Sequence, residues 1–129
     1  MQKQQGFTVI ELIFVSALFA IASIFFFVQK DELKVSAVDD TKKVAINSIY
    51  FGLESVYYAA NGYYPQTIDE NTLKTVDPSF FTDPAGNDIN TSGSDYTYKP
   101  TNCTNGQCKG YTLKADLDNE DDFVKTNKN

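Results

Sequence analysis

The chain has no histidine, no tryptophan and no arginine, a single methionine and only two cysteines in 129 residues. Each absence excludes something. Without histidine, the commonest general base and the commonest zinc ligand are missing. Without arginine, and at a formal net charge of −6, the chain lacks the clustered cations that neutralise phosphates. That argues against wrapping duplex DNA or coating an anionic membrane surface. No nucleophile–base set, phosphate-binding loop or metal set stands out. The expectation is a protein that is not an enzyme and that needs no cofactor. No internal repeat and no low-complexity tract is present, and the length suits one small domain plus an anchor.

What the chain does have is aromatic residues, eight Tyr and ten Phe, and one long apolar run. Met1 to Gly6 are short and polar, with one positive charge at Lys3. Phe7 to Val28 then hold a single ionisable side chain, Glu11. Roughly 22 residues at 1.5 Å rise make about 33 Å of helix, the thickness of a bilayer core. No Gly or Pro interrupts the run, and a soluble core helix is rarely apolar on every face over such a length. Gln29, Lys30, Asp31 and Glu32 mark the interface. Beyond them Leu33, Ala37, Thr41, Ala45, Ile49, Leu53, Val56 and Ala60 recur at steps of three or four, which predicts an amphipathic continuation. Asp39, Asp40, Lys42, Lys43, Asn47 and Glu54 are assigned to its polar side. Asn61-Gly62, with Pro65 following, is the stop signal. The pattern predicts one helix of about 54 residues, roughly 80 Å.

The rest supplies a cover for the amphipathic half. Thr67-Ile68-Asp69-Glu70 fits a capping box that starts a short helical turn through Leu73. Asp77-Pro78 and Asp83-Pro84-Ala85-Gly86 read as turns. Asp95 to Lys99 and Tyr111 to Leu117 read as strands, the second with Tyr111, Leu113, Ala115 and Leu117 on one face. A polar loop between them holds both cysteines, and Lys125 to Asn129 reads as a frayed tail. The expected fold class is α+β: a long N-terminal helix, half transmembrane and half amphipathic, packed against a small antiparallel sheet.

Glu11 is the informative residue. A carboxylate in the apolar part of a membrane helix costs about 2.5–3.5 kcal/mol even on permissive scales, so it needs a partner or a purpose. Snorkelling to the nearby interface is the bland account. The alternative is a cut after Gly6, whose small shape suits a peptidase. That would free the α-amino group of Phe7, a cation one helical turn from Glu11. The pair can close within one chain or between neighbours. Between neighbours it would set the axial register of helices that otherwise slide, as a lone polar residue does in coiled coils.

Gly6-Phe7-Thr8-Val9-Ile10-Glu11-Leu12 resembles the class III signal of type IV pilins and type II secretion pseudopilins. The stretch from Leu53 through Glu54, Tyr57, Tyr58, Asn61, Gly62, Tyr63 and Tyr64 to Pro65 is similar to the end of the long helix in that family. Asp83-Pro84-Ala85-Gly86-Asn87 resembles a loop of major pseudopilins. The resemblance implies the type IV pilin fold. It also implies cleavage by prepilin peptidase between Gly6 and Phe7, N-methylation of Phe7, and Glu11 as the assembly glutamate. The implied organisation is a leader over 1–6, a transmembrane and filament-core helix over 7–28, the outer half of that helix over 29–62 and a globular head over 63–129. Loss of the leader removes one lysine and takes the formal charge from −6 to −7. Many pilins have a helix breaker in the long helix, whereas Phe7 to Phe51 holds neither Gly nor Pro here. Implied partners are copies of the chain, other pilins, the peptidase, an assembly platform and, before assembly, membrane lipid. The implied location is the cytoplasmic membrane with the head outside, then a surface filament.

Cys103 and Cys108 enclose Thr104-Asn105-Gly106-Gln107. Zinc needs about four ligands and this site offers two. A redox pair usually has shorter spacing at a helix N-terminus. A disulfide stapling the loop is the expectation. Some major pseudopilins bind calcium near the C-terminal end, which makes Asp118, Asp121 and Asp122 calcium candidates by resemblance. The EF-hand template fails on them, because Asp121 stands where the turn glycine belongs and Asn127 where the bidentate glutamate belongs. A solvated acidic edge over Asp116 to Asp122 is the preferred account. Tyr57, Tyr58, Tyr63 and Tyr64 read as packing at the helix–sheet junction, with a single-strand stacking platform as the competing account.

The best single scheme is a filament subunit of a pilus or secretion pseudopilus. A membrane-tethered binding module that never polymerises is the alternative, and it leaves Glu11 idle. An ordinary secretory signal fails because no small-x-small site closes the run at Val28-Gln29-Lys30. N-terminal sequencing of the mature chain is expected to start at Phe7. A mature chain that starts at Met1 defeats the processing scheme.

Overall fold

A computed structural model of the chain describes residues 6–129. The leader residues 1–5, Lys3 among them, and the side chains of the interface markers Asp31 and Glu32 lie outside the described residues. The fold is α+β, with a long N-terminal helix and a four-stranded antiparallel sheet. Contacts divide the chain into two compact units, Met1–Val35 and Ser36–Asn129.

In the first unit the helix α1 (Val9–Phe51) begins two residues later than the sequence pattern suggests. The reason is Thr8, whose Oγ1 accepts the N–H of Glu11 at 3.4 Å and whose carbonyl accepts that of Leu12 at 3.1 Å. This is an N-cap, so Gly6 and Phe7 stay outside the helix. Every described side chain from Gly6 to Lys30 is exposed. The two serines of the run satisfy themselves on the helix backbone: Ser16 donates to the Ile13 carbonyl at 2.9 Å and Ser23 to that of Phe19 at 2.8 Å.

In the second unit, α1 gives way to a π-helical segment, Gly52–Tyr57, and then to α2 (Tyr58–Asn61). The expected uninterrupted α-helix to Ala60 is thus broken in winding though not in path. Gly52, Leu53 and Glu54 are all buried in succession, which a wider turn allows. Only glycine fits at the start of it, since a Cβ on Gly52 would lie 2.6 Å from Cγ2 of Val76. Asn61-Gly62 ends the helix as expected, with Gly62 at φ 76° and its N–H bonded to the Tyr58 carbonyl at 2.7 Å.

The sheet consists of β1 (Tyr64–Pro65), β2 (Tyr96–Thr104), β3 (Gln107–Ala115) and β4 (Phe123–Thr126). β3 is central: β1 and β2 flank it in the order β1-β3-β2, and β4 also pairs with it. Toward the turn β2 and β3 run further than their alternation predicts, from Tyr96↔Ala115 to Thr104↔Gln107, and leave only Asn105-Gly106 between them, whereas β3 stops at Ala115, two residues short of the expected Leu117. Both turn residues have positive φ, 51° and 78°, the two-residue hairpin geometry that Asn-Gly favours. The cysteines therefore lie on facing strands, not in a loop, where Cys103 and Cys108 are register partners joined by a disulfide.

Two further expectations are corrected. Residues 125–129 are not a frayed tail: Lys125 and Thr126 belong to β4, and Asn127 Oδ1 accepts the Tyr111 N–H at 3.2 Å. The capping box at Thr67 does not form. Asp69 caps instead, taking the N–H groups of Asn71 and Thr72 at 3.0 and 2.7 Å, and the turn closes from Leu73 to the Asp69 carbonyl. A short side chain two residues before the N–H it accepts reaches it without the rotamer cost of a glutamate return.

The core joins Ala45, Ile46, Ile49 and Leu53 from the helix to Tyr64, Ile68, Leu73, Val76 and Phe81 from the connection. Tyr96, Tyr98, Tyr111, Leu113 and Ala115 complete it from the sheet. The helix seam is Asp39, Lys42, Ile46, Ile49 and Leu53, strict steps of three and four. It departs from the expected stripe, because Leu33, Ala37, Thr41, Val56 and Ala60 are exposed. In thermal unfolding of the full chain in detergent micelles, Ile49→Ala is expected to cost about 2–5 kcal/mol. Val56→Ala, on the exposed side, should stay within about 0.5 kcal/mol of the parent. Equal effects would refute the seam.

Candidate functional site

Glu11 is the third residue of α1, so its carboxylate sits in the first turn, where the unpaired N–H groups favour negative charge. Its side chain is exposed and has no hydrogen-bond partner among the described residues. Gly6 and Phe7 precede the helix in non-helical backbone, Phe7 is highly exposed, and among the described residues none lies within 4 Å of where a Cβ on Gly6 would stand. Both residues that flank this peptide bond are exposed. Apart from Thr8, the exposed side chains near Glu11 are aliphatic and aromatic, among them Ile10, Leu12, Ile13 and Phe14. The helix is long and apolar enough to cross a membrane, with a mean hydropathy of 2.5 over its most apolar window and none of that window buried.

The charged groups that the head buries were missed in the sequence. Asp39, Lys42 and Glu54 were assigned to a polar face, yet all three are buried. The Asp39 carboxylate accepts the N–H groups of Asp118 and Asn119 at 2.9 and 3.0 Å. Those bonds, with the nearby Lys42 and Lys43 charges, outweigh burial and hold its carboxyl below the usual value. Lys42 Nζ reaches Asp95 at 2.9 Å, Asp118 at 3.2 Å and the Asp116 carbonyl at 3.0 Å. Burial alone would lower this ammonium, and the two carboxylates raise it above its ordinary value instead. The signal was available: the three-four spacing of Ile46, Ile49 and Leu53, run backwards, lands on Lys42 and Asp39.

Glu54 is held from four directions. Tyr111 and Tyr64 donate their hydroxyls at 2.8 and 3.0 Å, the Lys128 N–H approaches at 3.1 Å, and the Asn129 amide at 3.5 Å. Burial, then the bond to this carboxylate, pushes the Tyr111 phenol well up. Burial likewise takes the Tyr96 phenol up to about 12. Tyr58, Tyr64, Tyr111 and Tyr98 pack ring to ring at 4.7, 4.8 and 5.5 Å. Tyr64 is fully buried and so belongs to the packing account of the tyrosines. Tyr57 and Tyr63 meet edge to face at 5.9 Å.

The acidic edge is divided among lysines. Asp118 binds Lys42, Glu120 binds Lys43 at 2.7 Å and Asp122 binds Lys114 at 3.1 Å, while Asp121 is exposed. The structure thus does not bring the calcium candidates Asp118, Asp121 and Asp122 to one point. No group of three metal-ligating side chains occurs among the described residues. The Asp83-to-Asn87 loop is locked by its own aspartate: Asp83 accepts the N–H groups of Asn87 at 2.8 Å and Asp95 at 2.9 Å.

Residues 1–27 match the family model described as the prokaryotic N-terminal methylation motif, the class III signal of type IV pilins and pseudopilins. No curated protein and no solved structure matches the chain. The motif and the long apolar helix that follows it fit a pilin-like precursor, and they are compatible with membrane anchoring.

Burial would raise the Asp83 carboxyl, but the donors from Asp95, Asn87 and Ala85 outweigh it and hold the group below 3.8. A carboxyl with a lowered folded-state value stabilises fully above its unfolded value, and that contribution vanishes as the pH falls through the lowered one. Asp83→Asn should therefore cost about 1–3 kcal/mol at neutral pH. Its stability should then fall less steeply than the parent's below pH 3.8. Parallel pH profiles for the two proteins would contradict this.

Proposed function

We propose that the chain is a structural subunit of a type IV pilus-like or pseudopilus filament and not an enzyme. Prepilin peptidase cuts the exposed Gly6–Phe7 bond and the new Phe7 amine is methylated. The helix holds the subunit in the cytoplasmic membrane with the head outside, until an assembly platform transfers it into the filament. The observation that carries this reading is the apolar surface of Val9 to Val28, which is exposed throughout and interrupted by one carboxylate. Lipid covers such a surface before assembly, and neighbouring helices of the same kind cover it afterwards.

Glu11 gives that exchange a direction. In lipid its carboxylate is costly, whereas beside the Phe7 amine of a neighbour it is neutralised. A helix that slides by one turn loses the pair, so one charge pair sets the register of an otherwise featureless apolar contact. The head is then carried on the outside, with a polar surface suited to solvent.

Glu11→Ala is expected to leave insertion and cleavage intact and to lower filament yield about tenfold or more, the factor for ~1.4 kcal/mol of lost attraction between subunits. Sheared-filament assays beside membrane fractions measure both. Unchanged filament yield would favour the tethered module.

A further inference from the structure

Two Asn-Gly pairs occur in the chain, Asn61-Gly62 and Asn105-Gly106. Asparagine before glycine is the pair most open to spontaneous loss of its side-chain amide, because no Cβ on the glycine shields the nitrogen that attacks. By sequence the two are equivalent. They are equivalent in access as well. All four residues are exposed, and beyond its chain neighbours no described atom lies within 4 Å of where a Cβ would stand on either glycine.

Hydrogen bonding separates them. Asn61 is the last residue of α2. Its side-chain amide donates to the Tyr57 carbonyl at 2.8 Å, and the Gly62 N–H donates to the Tyr58 carbonyl at 2.7 Å. The amide that must react and the nitrogen that must attack are both engaged in the helix end. Asn105 and Gly106 form the tip between β2 and β3, with φ of 51° and 78°. A two-residue turn leaves its second N–H without a cross-strand partner. Accordingly, among the described residues neither the Asn105 side chain nor the Gly106 N–H has a hydrogen-bond partner.

We infer that Asn105 is a site of self-modification, where the tip amide turns into a carboxylate while the fold protects Asn61. The step needs only water as co-reactant. The Gly106 nitrogen bonds to Cγ of Asn105 and gives up its proton, the Cγ–Nδ2 bond breaks, and ammonia leaves with that proton. Water then opens the cyclic imide at either carbonyl, to aspartate or isoaspartate. Cys103 and Cys108 join β2 and β3 just inside the tip, so the strands stay tied even where isoaspartate lengthens the backbone. Each conversion adds one negative charge to an exposed turn of the head. Neither processing nor assembly enters the step, so it stands apart from the filament reading.

The full chain in detergent micelles, held at mildly alkaline pH, is compared with the same chain unfolded in denaturant with its disulfide intact. Peptide mass mapping reads the amide-to-acid mass gain at each asparagine. In the folded chain Asn105 is expected to convert at least about tenfold faster than Asn61, since two hydrogen bonds must break at the helix end. In denaturant the two should convert at similar rates, which assigns the difference to the fold. Asn105→Gln, whose longer side chain closes the ring far less readily, should remove the acidic form seen on isoelectric focusing, and its melting curve establishes that it is folded. A folded chain in which Asn105 converts no faster than Asn61, or keeps its amide while the denatured chain loses it, would overturn the assignment.

Discussion

The constraint on which the rest depends is that the apolar surface from Val9 to Val28 cannot be left in water. Its leucines, isoleucines, valines and phenylalanines are exposed in the isolated chain. Each would stabilise by roughly 1.5–3 kcal/mol if buried, so the total driving force toward lipid or another apolar helix is large. Being apolar on all faces, the segment selects no partner and no register by itself. Glu11 is its one charged side chain, and Thr8 fixes where it falls in the first turn by starting the helix at Val9.

The head solves a different problem, which is to hold one amphipathic helix against a small sheet. It does so with charge as well as with aliphatic packing. Lys42 is almost fully buried and is neutralised by Asp95 and Asp118, which come from just before β2 and from the segment after β3. Asp39 in turn caps the N–H groups of Asp118 and Asn119. A buried ammonium without those carboxylates would be strongly destabilising, so the pair specifies how the helix seats more than it adds net stability. Glu54 plays the same part at the other end of the seam, where it gathers β1, β3 and the residues after β4 through Tyr64, Tyr111 and Lys128.

The long helix, its stop at Asn61-Gly62, the two central strands and the α+β class were legible because each rests on local pattern: an unbroken apolar run, a glycine C-cap, period-two alternation. The cysteine staple was legible because only two cysteines exist. β4 was not, since Phe123-Val124-Lys125-Thr126 is short and has one half-buried and one exposed apolar residue; pairing with β3 makes it a strand. The seam was misread for a related reason. Stepping by four from Leu33 passes through the exposed Leu33, Ala37 and Thr41 before it reaches the buried Ala45, Ile49 and Leu53, whereas the true seam carries Asp39 and Lys42, which hydrophobicity alone assigns to solvent.

The sequence by itself therefore determined the anchor-like segment and its single carboxylate, because length, hydropathy and one charge in an apolar run are properties of neighbouring residues. It also determined where the helix ends and that two central strands exist, while their two-residue turn at Asn105-Gly106 came from the structure. Only the tertiary structure decided which charges are buried, where the π-helical turn falls and that the chain's last residues are tied down. Each of these depends on a partner far along the chain: Asp118 for Lys42, Val76 for Gly52, Glu54 for Lys128. A buried charge is tolerable only when its counter-charge arrives from elsewhere in the fold, and no local pattern carries that information.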